Sequence, residues 1–339
     1  MGDSGNVIQI VLAVFDASGK YSKYAGVVMT SIFQRTQNLV CVTILHDETL
    51  TEDNRSRFIR TAEVFGQTVR FIDVSEAVLA LGQDIDDIAR EFTRGTLFRL
   101  LIPDVIDAPK VIYLDCDIAV NMDIAELWGV GVDNLSLAVA DRNKYPGTRE
   151  TTLHIKIRAW AMRFDELKYF NSGVLLMNLD RMRKRKLNLV ESARAFSMRY
   201  RLCADFLDQD FLNAFFQGDV LFIDRRFNRT DPSANIENAI LHFTGYERAW
   251  EPHPVVRTRD HLFWETLIQS EWRDQLIESI FDMFKNGRRC HYHTSDCYRR
   301  ILYRLKQDLL TNSLPARFIK DLRVVLKELG ARHRESSCG

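Results

Sequence analysis

The 339-residue chain lacks several features that would assign it to a broad class of protein. It has no run approaching the roughly 18 apolar residues that a membrane-spanning helix requires. Lys+Arg and Asp+Glu number 46 each, so the overall charge is balanced and we expect no nucleic acid partner. The six cysteines are scattered, which excludes the disulfide framework of a small secreted protein.

The start of the chain also lacks targeting signals. The charged-then-apolar layout of a secretory signal is absent, and Asn6 breaks the myristoylation pattern. Together with the sparse cysteines, this predicts a protein of the reducing cytoplasm. The composition, 46% hydrophobic and 27% charged, is that of a folded protein with one large domain and an appendage, or two domains.

Apolar runs alternate with amphipathic stretches along the chain. Strands are predicted at 7–15, 40–45, 68–72, 110–117, 136–140, 169–178, 220–223 and 240–242, and helices at 24–33, 52–65, 93–106, 123–128, 189–200, 258–270 and 272–284, with another helix opening at 208–210. Such alternation predicts an α/β fold whose parallel sheet is covered on both faces and binds ligands at the carboxyl ends of its strands. A dinucleotide oxidoreductase is disfavoured, because DASGKYSKYAG after the first strand does not supply G-x-G-x-x-G.

The stretch at 110–117, KVIYLDCD, delivers two carboxylates two positions apart at the end of a strand. Residues i and i+2 of an extended chain point the same way, so Asp115 and Asp117 can face one point in space. Two such oxygen ligands suit Mg²⁺ or Mn²⁺, which can take further ligands from a diphosphate. Taken alone, however, an Asp-x-Asp is more often a solvated acidic turn.

Six patches in a fixed order reverse that interpretation: LAVFDASG, FTRGTLFRL, VIYLDCDIAVNMDIAELW, YFNSGVLLMN, DQDFLNAFF and LHFTGYERAW. Together they resemble glycosyltransferase family 8 over roughly residues 7–250. The resemblance implies a GT-A fold, a Rossmann-like mixed sheet flanked by helices, and a retaining, metal-dependent transfer from a UDP-sugar. It is nearest to the bacterial lipopolysaccharide core galactosyl- and glucosyltransferases, which also carry helical, basic C-terminal extensions.

The same resemblance assigns roles to individual residues. It assigns metal binding to Asp115, Asp117 and His242, and an imidazole beside two carboxylates favours Mn²⁺ over Mg²⁺. It assigns nucleotide binding to Val14, Asp16, Asp115, Cys116, Gly245 and Arg248. It assigns donor-sugar contacts and catalysis to Arg99, Asp141, Asn171, Asp208 and Gln209.

The residue expected beside the anomeric carbon is Gln209, a neutral amide and a poor nucleophile. A double displacement would need a carboxylate there, as in retaining glycosidases. We therefore expect front-face transfer, in which a β-phosphate oxygen of the leaving UDP takes the acceptor proton. Where the family usually shows Lys-Pro-Trp, this chain has Arg248-Ala249-Trp250. Arginine can hold a diphosphate bidentately, but the loss of the proline loosens the loop.

The C-terminal part of the chain differs in character. We expect a catalytic domain at 1–256 and a helical extension at 257–339, in which Lys285 to Arg334 holds thirteen basic and four acidic residues. The extension is either a solvated helical surface or a peripheral anchor on anionic lipid at the inner face of the cytoplasmic membrane. Four candidate zinc ligands also lie there, although their crowded order fits zinc sites poorly: Cys290, His291, His293 and Cys297.

The resemblance predicts transfer of a hexose, galactose or glucose, from a UDP-sugar to a glycan acceptor, and it favours the lipid-linked core of lipopolysaccharide as that acceptor. Two alternatives stay open: a protein or self-glycosylated acceptor, and a non-catalytic sugar-nucleotide-binding module. A non-catalytic module would be expected to have lost part of the set Asp115, Asp117, His242 and Gln209, and all four are present.

Overall fold

A mixed seven-stranded sheet organises the part of the chain that the computed structural model describes, residues 7–79, 94–141, 159–200, 207–231, 235–244, 248–250, 258–276 and 278–279. Its strands lie in the order β3-β2-β1-β4-β7-β6-β8. The strands are β1 Ile8–Val14, β2 Val40–His46, β3 Thr68–Asp73, β4 Lys110–Leu114, β6 Leu137–Ala140, β7 Val174–Asn178 and β8 Val220–Ile223. The first four in chain order run parallel, β7 runs antiparallel to both of its neighbours, and β8 is parallel to β6.

Helices cover both faces of this sheet. They are α1 Tyr21–Phe33, α2 Glu52–Val64, α3 Ser75–Leu79, α4 Gly95–Val105, α5 Ala125–Trp128, α6 Leu179–Lys184, α7 Leu189–Tyr200, α8 Leu207–Phe215 and α9 Thr258–Gln269. Successive residues of β1 point to opposite faces, so Ile10 and Leu12 pack into the core under α1, α2 and α9, while Val11 and Ala13 pack into the core under α4 and α6 to α8. Because both faces are buried, the strand reads as one continuous apolar run.

A second, two-stranded sheet joins distant parts of the chain. It pairs β5 (Ile118–Asn121) antiparallel with β9 (Ala239–His242), so that Ile118 lies opposite His242. The pairing continues one residue further, where the Phe243 amide donates to the Asp117 carbonyl at 2.8 Å. The end of β9 is therefore fixed beside the residue that precedes β5.

Trp272, just after α9, is fully buried against α1 and α2. Its ring passes so close to Gly26 that a Cβ there would lie 2.2 Å from Trp272 Cζ3. Its indole N–H donates to Asn54 Oδ1 at 2.9 Å. The predicted division of the chain after residue 256 stays a prediction, because the extension beyond Ser279 lies outside the described residues.

Two sequence-based expectations about the sheet and its strands are corrected. The alternation of strands and helices alone predicted a parallel sheet, whereas the sheet is mixed, as the resemblance implied; apolar runs report burial on both faces but not strand direction. The strand predicted at 169–178 begins only at Val174, because the amides of Phe170 and Ser172 donate to the side chains of Asn213 and Gln209 instead of to a neighbouring strand.

Several other predicted features lie outside the described residues. They are the four candidate zinc ligands between Cys290 and Cys297 and the proposed membrane anchor. The helix predicted at 272–284 is described only in part, and within it Arg273–Gln275 forms a 3-10 turn. Among the helices that are described, none combines the length and apolar character needed to cross a bilayer.

Candidate active site

Two carboxylates and one imidazole converge beyond the end of β4. One ligand atom from each of Asp115, Asp117 and His242 lies within 4.8 Å of the others. His242 Nε2 lies 2.9 Å from Asp117 Oδ1 and 3.8 Å from Asp115 Oδ2. Cys116 lies between the two aspartates, and its Sγ donates to the Ala13 carbonyl at 3.2 Å.

One oxygen of the Asp115 carboxylate accepts hydrogen bonds from neighbouring side chains, and the other faces His242. Its Oδ1 accepts hydrogen bonds from Tyr113 Oη at 2.6 Å and from Arg99 at 2.8 Å, so Oδ2 is the oxygen that faces His242. Arg99 is only 4% exposed and also donates to the backbone and hydroxyl oxygens of Ser172. It contacts Asp208 at 3.3 Å, which links the acidic pair to the start of α8.

The two carboxylates differ in pKa. Burial, together with the negative charge of Asp117, raises the pKa of Asp115, although Arg99 opposes this shift. Burial also acts to raise the pKa of Asp117, but His242 and Arg248 outweigh it and the pKa lies below its ordinary value. Two partly buried carboxylates facing one point repel each other, and a divalent cation between them would remove that repulsion.

The backbone at Gly173 closes the cluster from the side of β7. A Cβ at this position would lie 2.1 Å from His242 Cε1 and 2.7 Å from Asp115 Oδ2. A side chain is therefore incompatible with the present positions of both groups. The donor set of two carboxylates and an imidazole, enclosed in this way, fits a divalent cation such as Mn²⁺.

An open cleft of about 160 Å³ borders the acidic pair. It is lined by Ala13, Phe15, Tyr21, Tyr24, Gly95, Thr96, Arg99, Tyr113, Asp115, Cys116, Asp117, Arg248 and Trp250. Tyr24 stacks on Trp250 with ring centroids 3.9 Å apart. The cleft thus combines aromatic side chains with Arg248 and the acidic pair.

Asp16 lies beside this cleft, but protein donors surround its carboxylate. It accepts from the Tyr21 amide at 2.7 Å, from Ser22 Oγ at 2.5 Å and from Asn54 Nδ2 at 3.2 Å, and it is 3% exposed. Val14 is fully buried in β1. Their roles in nucleotide binding stay predictions. Gly245 lies outside the described residues.

A second, smaller cavity is bordered by two of the predicted donor-sugar residues, Asp141 and Asn171. The other residues lining it are Ala140, Arg225, Asn228, Arg229, Thr230 and Asp231. Gln209, on α8, reaches this region through its side chain: its Oε1 accepts from Asn171 Nδ2 at 3.0 Å. The predicted sugar contacts therefore lie close to one another, and their roles stay predictions.

Sequence reasoning missed several residues of this site. Tyr113 stands two positions before Asp115 and so shares its side of an extended strand, a signal that was readable. Tyr169 belongs to the YFNSG patch, but no feature of the neighbouring sequence indicated that it contributes to the site. In the sequence, Asn228 begins an Asn-Arg-Thr triplet, which gives no indication of a role in this site. In the structure, its Oδ1 lies 2.9 Å from His242 Nδ1. Its position depends on how the loop before β9 packs.

Comparisons with known proteins agree with this geometry. The profile described as "Glycosyl transferase family 8" matches residues 13–253. The chain is 26% identical over 281 residues to general stress protein A of Bacillus subtilis, covering 75% of this chain and 92% of that protein. It is 24% identical over 202 residues to lipopolysaccharide 1,2-glucosyltransferase of Escherichia coli, covering 54% of this chain and 56% of that one.

Solved structures share the fold. The galactosyltransferase LgtC, solved in complex with donor and acceptor sugar analogs, superimposes with a TM-score of 0.63 at 23% identity. The match covers 79% of this chain and all of that chain. The likeness establishes the mixed α/β architecture expected from the motifs.

Proposed function

The chain belongs to glycosyltransferase family 8, as its motifs predicted, and from that premise we propose that it transfers galactose or glucose from a UDP-sugar to a glycan acceptor with retention of configuration. The observation that carries this proposal is the convergence of Asp115, Asp117 and His242 at the edge of an open cleft. A module that only bound sugar nucleotides would not need this complete donor set.

The three converging side chains would hold Mn²⁺, with Mg²⁺ as the alternative. When bound, the cation stabilises the negative charge that develops on the UDP diphosphate as the sugar leaves. Arg248 lines the same cleft and lies close enough to Asp117 to lower its pKa, so it supplies a second positive group for the diphosphate. The aromatic side chains that line the cleft suit the uracil ring.

Donor-sugar contacts come from the residues around the second cavity and α8. Asp141 and Asn171 border that cavity, and Asp208 is held by Arg99. Hydrogen bonds from such groups to the ring hydroxyls would fix the anomeric carbon near the acceptor, which removes much of the entropic barrier to transfer.

Front-face transfer is supported by the state of Gln209. Its Oε1 accepts from Asn171 Nδ2 and the Ser172 amide, and its Nε2 donates to Tyr169 Oη, so both ends of the amide are engaged. The neighbouring Asp208 is paired with Arg99. In the proposed step the bond from C1 to the phosphate oxygen breaks, the acceptor oxygen bonds to C1 from the same face, and the acceptor proton moves to a β-phosphate oxygen.

The proposed acceptor is a lipid-linked glycan of the lipopolysaccharide core class. The name of the Escherichia coli relative supports this choice. A basic C-terminal segment that associates with the inner face of the membrane would bring the enzyme to such an acceptor.

The test is a panel of UDP-sugars incubated with Mn²⁺, in which UDP release is followed with and without truncated lipopolysaccharide. We expect acceptor-dependent release from UDP-galactose or UDP-glucose. Failure of every UDP-sugar to bind, measured by calorimetry with and without Mn²⁺, would refute the proposal. A covalent sugar on Asp208 or Gln209, detected by intact-protein mass spectrometry, would refute the front-face step alone.

Single substitutions test whether the activity depends on the converging residues. Asp117→Ala should abolish transfer because it removes a metal ligand, while Gln209→Ala should reduce transfer and leave UDP binding measurable. Asp180→Ala is the matched control, since this exposed carboxylate pairs with Arg183 at the far end of β7. Equal loss of activity in the Asp117 and Asp180 variants would contradict the assignment.

A further inference from the structure

A chain of directed hydrogen bonds begins at a buried carboxylate on α8. Tyr169 Oη donates to Asp210 Oδ1 at 2.7 Å, and Asp210 is fully buried. Gln209 Nε2 donates to Tyr169 Oη at 2.7 Å, and Asn171 Nδ2 donates to Gln209 Oε1 at 3.0 Å. Each side chain in this series therefore accepts a hydrogen bond from the side chain that follows it.

The series of hydrogen bonds continues to the candidate metal ligand His242. Asn228 Nδ2 donates to Asn171 Oδ1 at 2.9 Å, and Asn228 Oδ1 lies 2.9 Å from His242 Nδ1. The other ring nitrogen, Nε2, faces Asp117 and Asp115. The imidazole therefore joins the amide chain on one side to the acidic pair on the other.

Backbone N–H groups fix which atom donates and which accepts in these hydrogen bonds. A backbone N–H can only donate, and the amides of Ser172 and Gly173 donate to Gln209 Oε1 at 3.1 Å and to Asn171 Oδ1 at 3.0 Å. The atoms that face these two backbone amides must therefore be the side-chain oxygens of Gln209 and Asn171, not their NH₂ groups. The Asn228 atom facing Asn171 must then be its NH₂ group, which leaves its oxygen facing His242 Nδ1.

From this direction we infer that Asn228 is a positioning residue that keeps the proton of His242 on Nδ1 and the lone pair on Nε2. A neutral imidazole carries one N–H, and the hydrogen bond made by one nitrogen decides which nitrogen can bind a metal. Without Asn228, Asp117 at 2.9 Å would favour a proton on Nε2, in the place of the cation. The inference rests on the proposed metal-dependent transfer.

The same asparagine also supports the reacting end of the site. Its NH₂ group holds Asn171, whose own NH₂ group holds the oxygen of Gln209. One side chain thereby sets the orientation of a candidate metal ligand and of two predicted sugar contacts. Substitutions at Asn228 can separate these two effects.

The experiment compares Asn228→Ala and Asn228→Asp in full-length protein. Asn228→Ala removes both bonds, so its Mn²⁺ dissociation constant, measured by EPR in the presence of UDP, should rise about 10–100-fold. Asn228→Asp still accepts from His242 Nδ1 but cannot donate to Asn171. Unlike Asn228→Ala, it should therefore bind Mn²⁺ with close to wild-type affinity, while kcat falls about tenfold.

The matched control is Asn178→Ala. This asparagine also makes two hydrogen bonds, to the Arg181 amide and the Val132 carbonyl, at the opposite end of β7. It should leave the Mn²⁺ affinity unchanged. Wild-type Mn²⁺ affinity in Asn228→Ala would overturn the inference, as would equal weakening of Mn²⁺ binding in the Asp and Ala variants.

A second measurement reads the position of the proton in the wild-type protein itself. In ¹⁵N-histidine-labelled, metal-free protein, His242 Nδ1 should carry a proton whether or not Nε2 does, with the resonance assigned by its absence in His242→Gln. A wild-type ring protonated on Nε2 alone would overturn the inference. Failure of the wild type to bind Mn²⁺ and UDP would instead count against the proposed function, since this proton assignment is read without metal.

Discussion

Substitution of Gly173 by alanine should separate metal binding from folding. The added Cβ would lie 2.1 Å from His242 Cε1, and ordinary carbon–carbon contact is about 3.5 Å, so the ring must move by about 1.4 Å. The ring cannot yield freely, because it is buried and its two nitrogens face Asn228 and Asp117. Metal–ligand distances tolerate only about 0.2 Å.

The expected result is loss of His242 as a ligand. Mn²⁺ affinity, titrated by EPR in the presence of UDP, should fall about 100-fold or more, beyond the effect of losing an outer-shell partner. Overpacking of this kind costs about 1–3 kcal/mol of stability, so the variant should remain folded in a thermal melt. Its backbone needs no unusual φ, since positive values among the described glycines occur at Gly19, Gly66 and Gly218.

Gly131→Ala is the matched control for this substitution. A Cβ at Gly131 meets nothing within 4 Å, so it tests the loss of a glycine without the clash. It should bind Mn²⁺ as the wild type does. If Gly173→Ala also kept wild-type Mn²⁺ affinity, the assignment of His242 as a ligand in its present position would be refuted.

Two further substitutions test the framework around the site. Trp272→Phe removes the indole N–H and leaves Asn54 Oδ1 buried without that donor, so urea unfolding should show a loss of about 1–3 kcal/mol; an unchanged unfolding curve would contradict the packing described. Burial acts to raise the pKa of Asp219, but hydrogen bonds from Ser136 and Arg181 outweigh it and lower the pKa. A lowered folded-state pKa stabilises the protein above the unfolded value of about 3.9, and this stabilisation is lost as pH falls through the folded value. Asp219→Asn should therefore be less stable than wild type at pH 7, with a difference that shrinks below about pH 4; a constant difference would argue against the charge.

Elements defined by local pattern were predictable from the sequence. The apolar run at 7–15 forms β1, and the stretch at 52–65 forms α2, where Thr51 caps the helix by accepting from the Asn54 amide. In both cases the determining interactions lie within a few residues: alternation between two buried faces for the strand, a cap and an apolar stripe for the helix.

The convergence of the metal cluster was not predictable from local pattern. His242 and Asp117 are 125 positions apart, and they meet because β5 and β9 pair in a sheet separate from the main one. Nothing in either short apolar run specifies that partner, since register and partner choice depend on tertiary packing. Only the ordered family motifs connected the two before the structure did.

His242 is held by residues from four separate parts of the chain. Asn228 fixes the rotation of the ring through Nδ1, and Gly173 leaves the space that Cε1 occupies. Arg259, on α9 beyond the end of the family match, donates to the His242 carbonyl at 3.0 Å and so fixes the backbone, while Asp117 faces Nε2. Each contact restrains a different degree of freedom. A ligand restrained in this way needs little rearrangement when a cation and a diphosphate arrive, so binding energy is available for positioning the sugar.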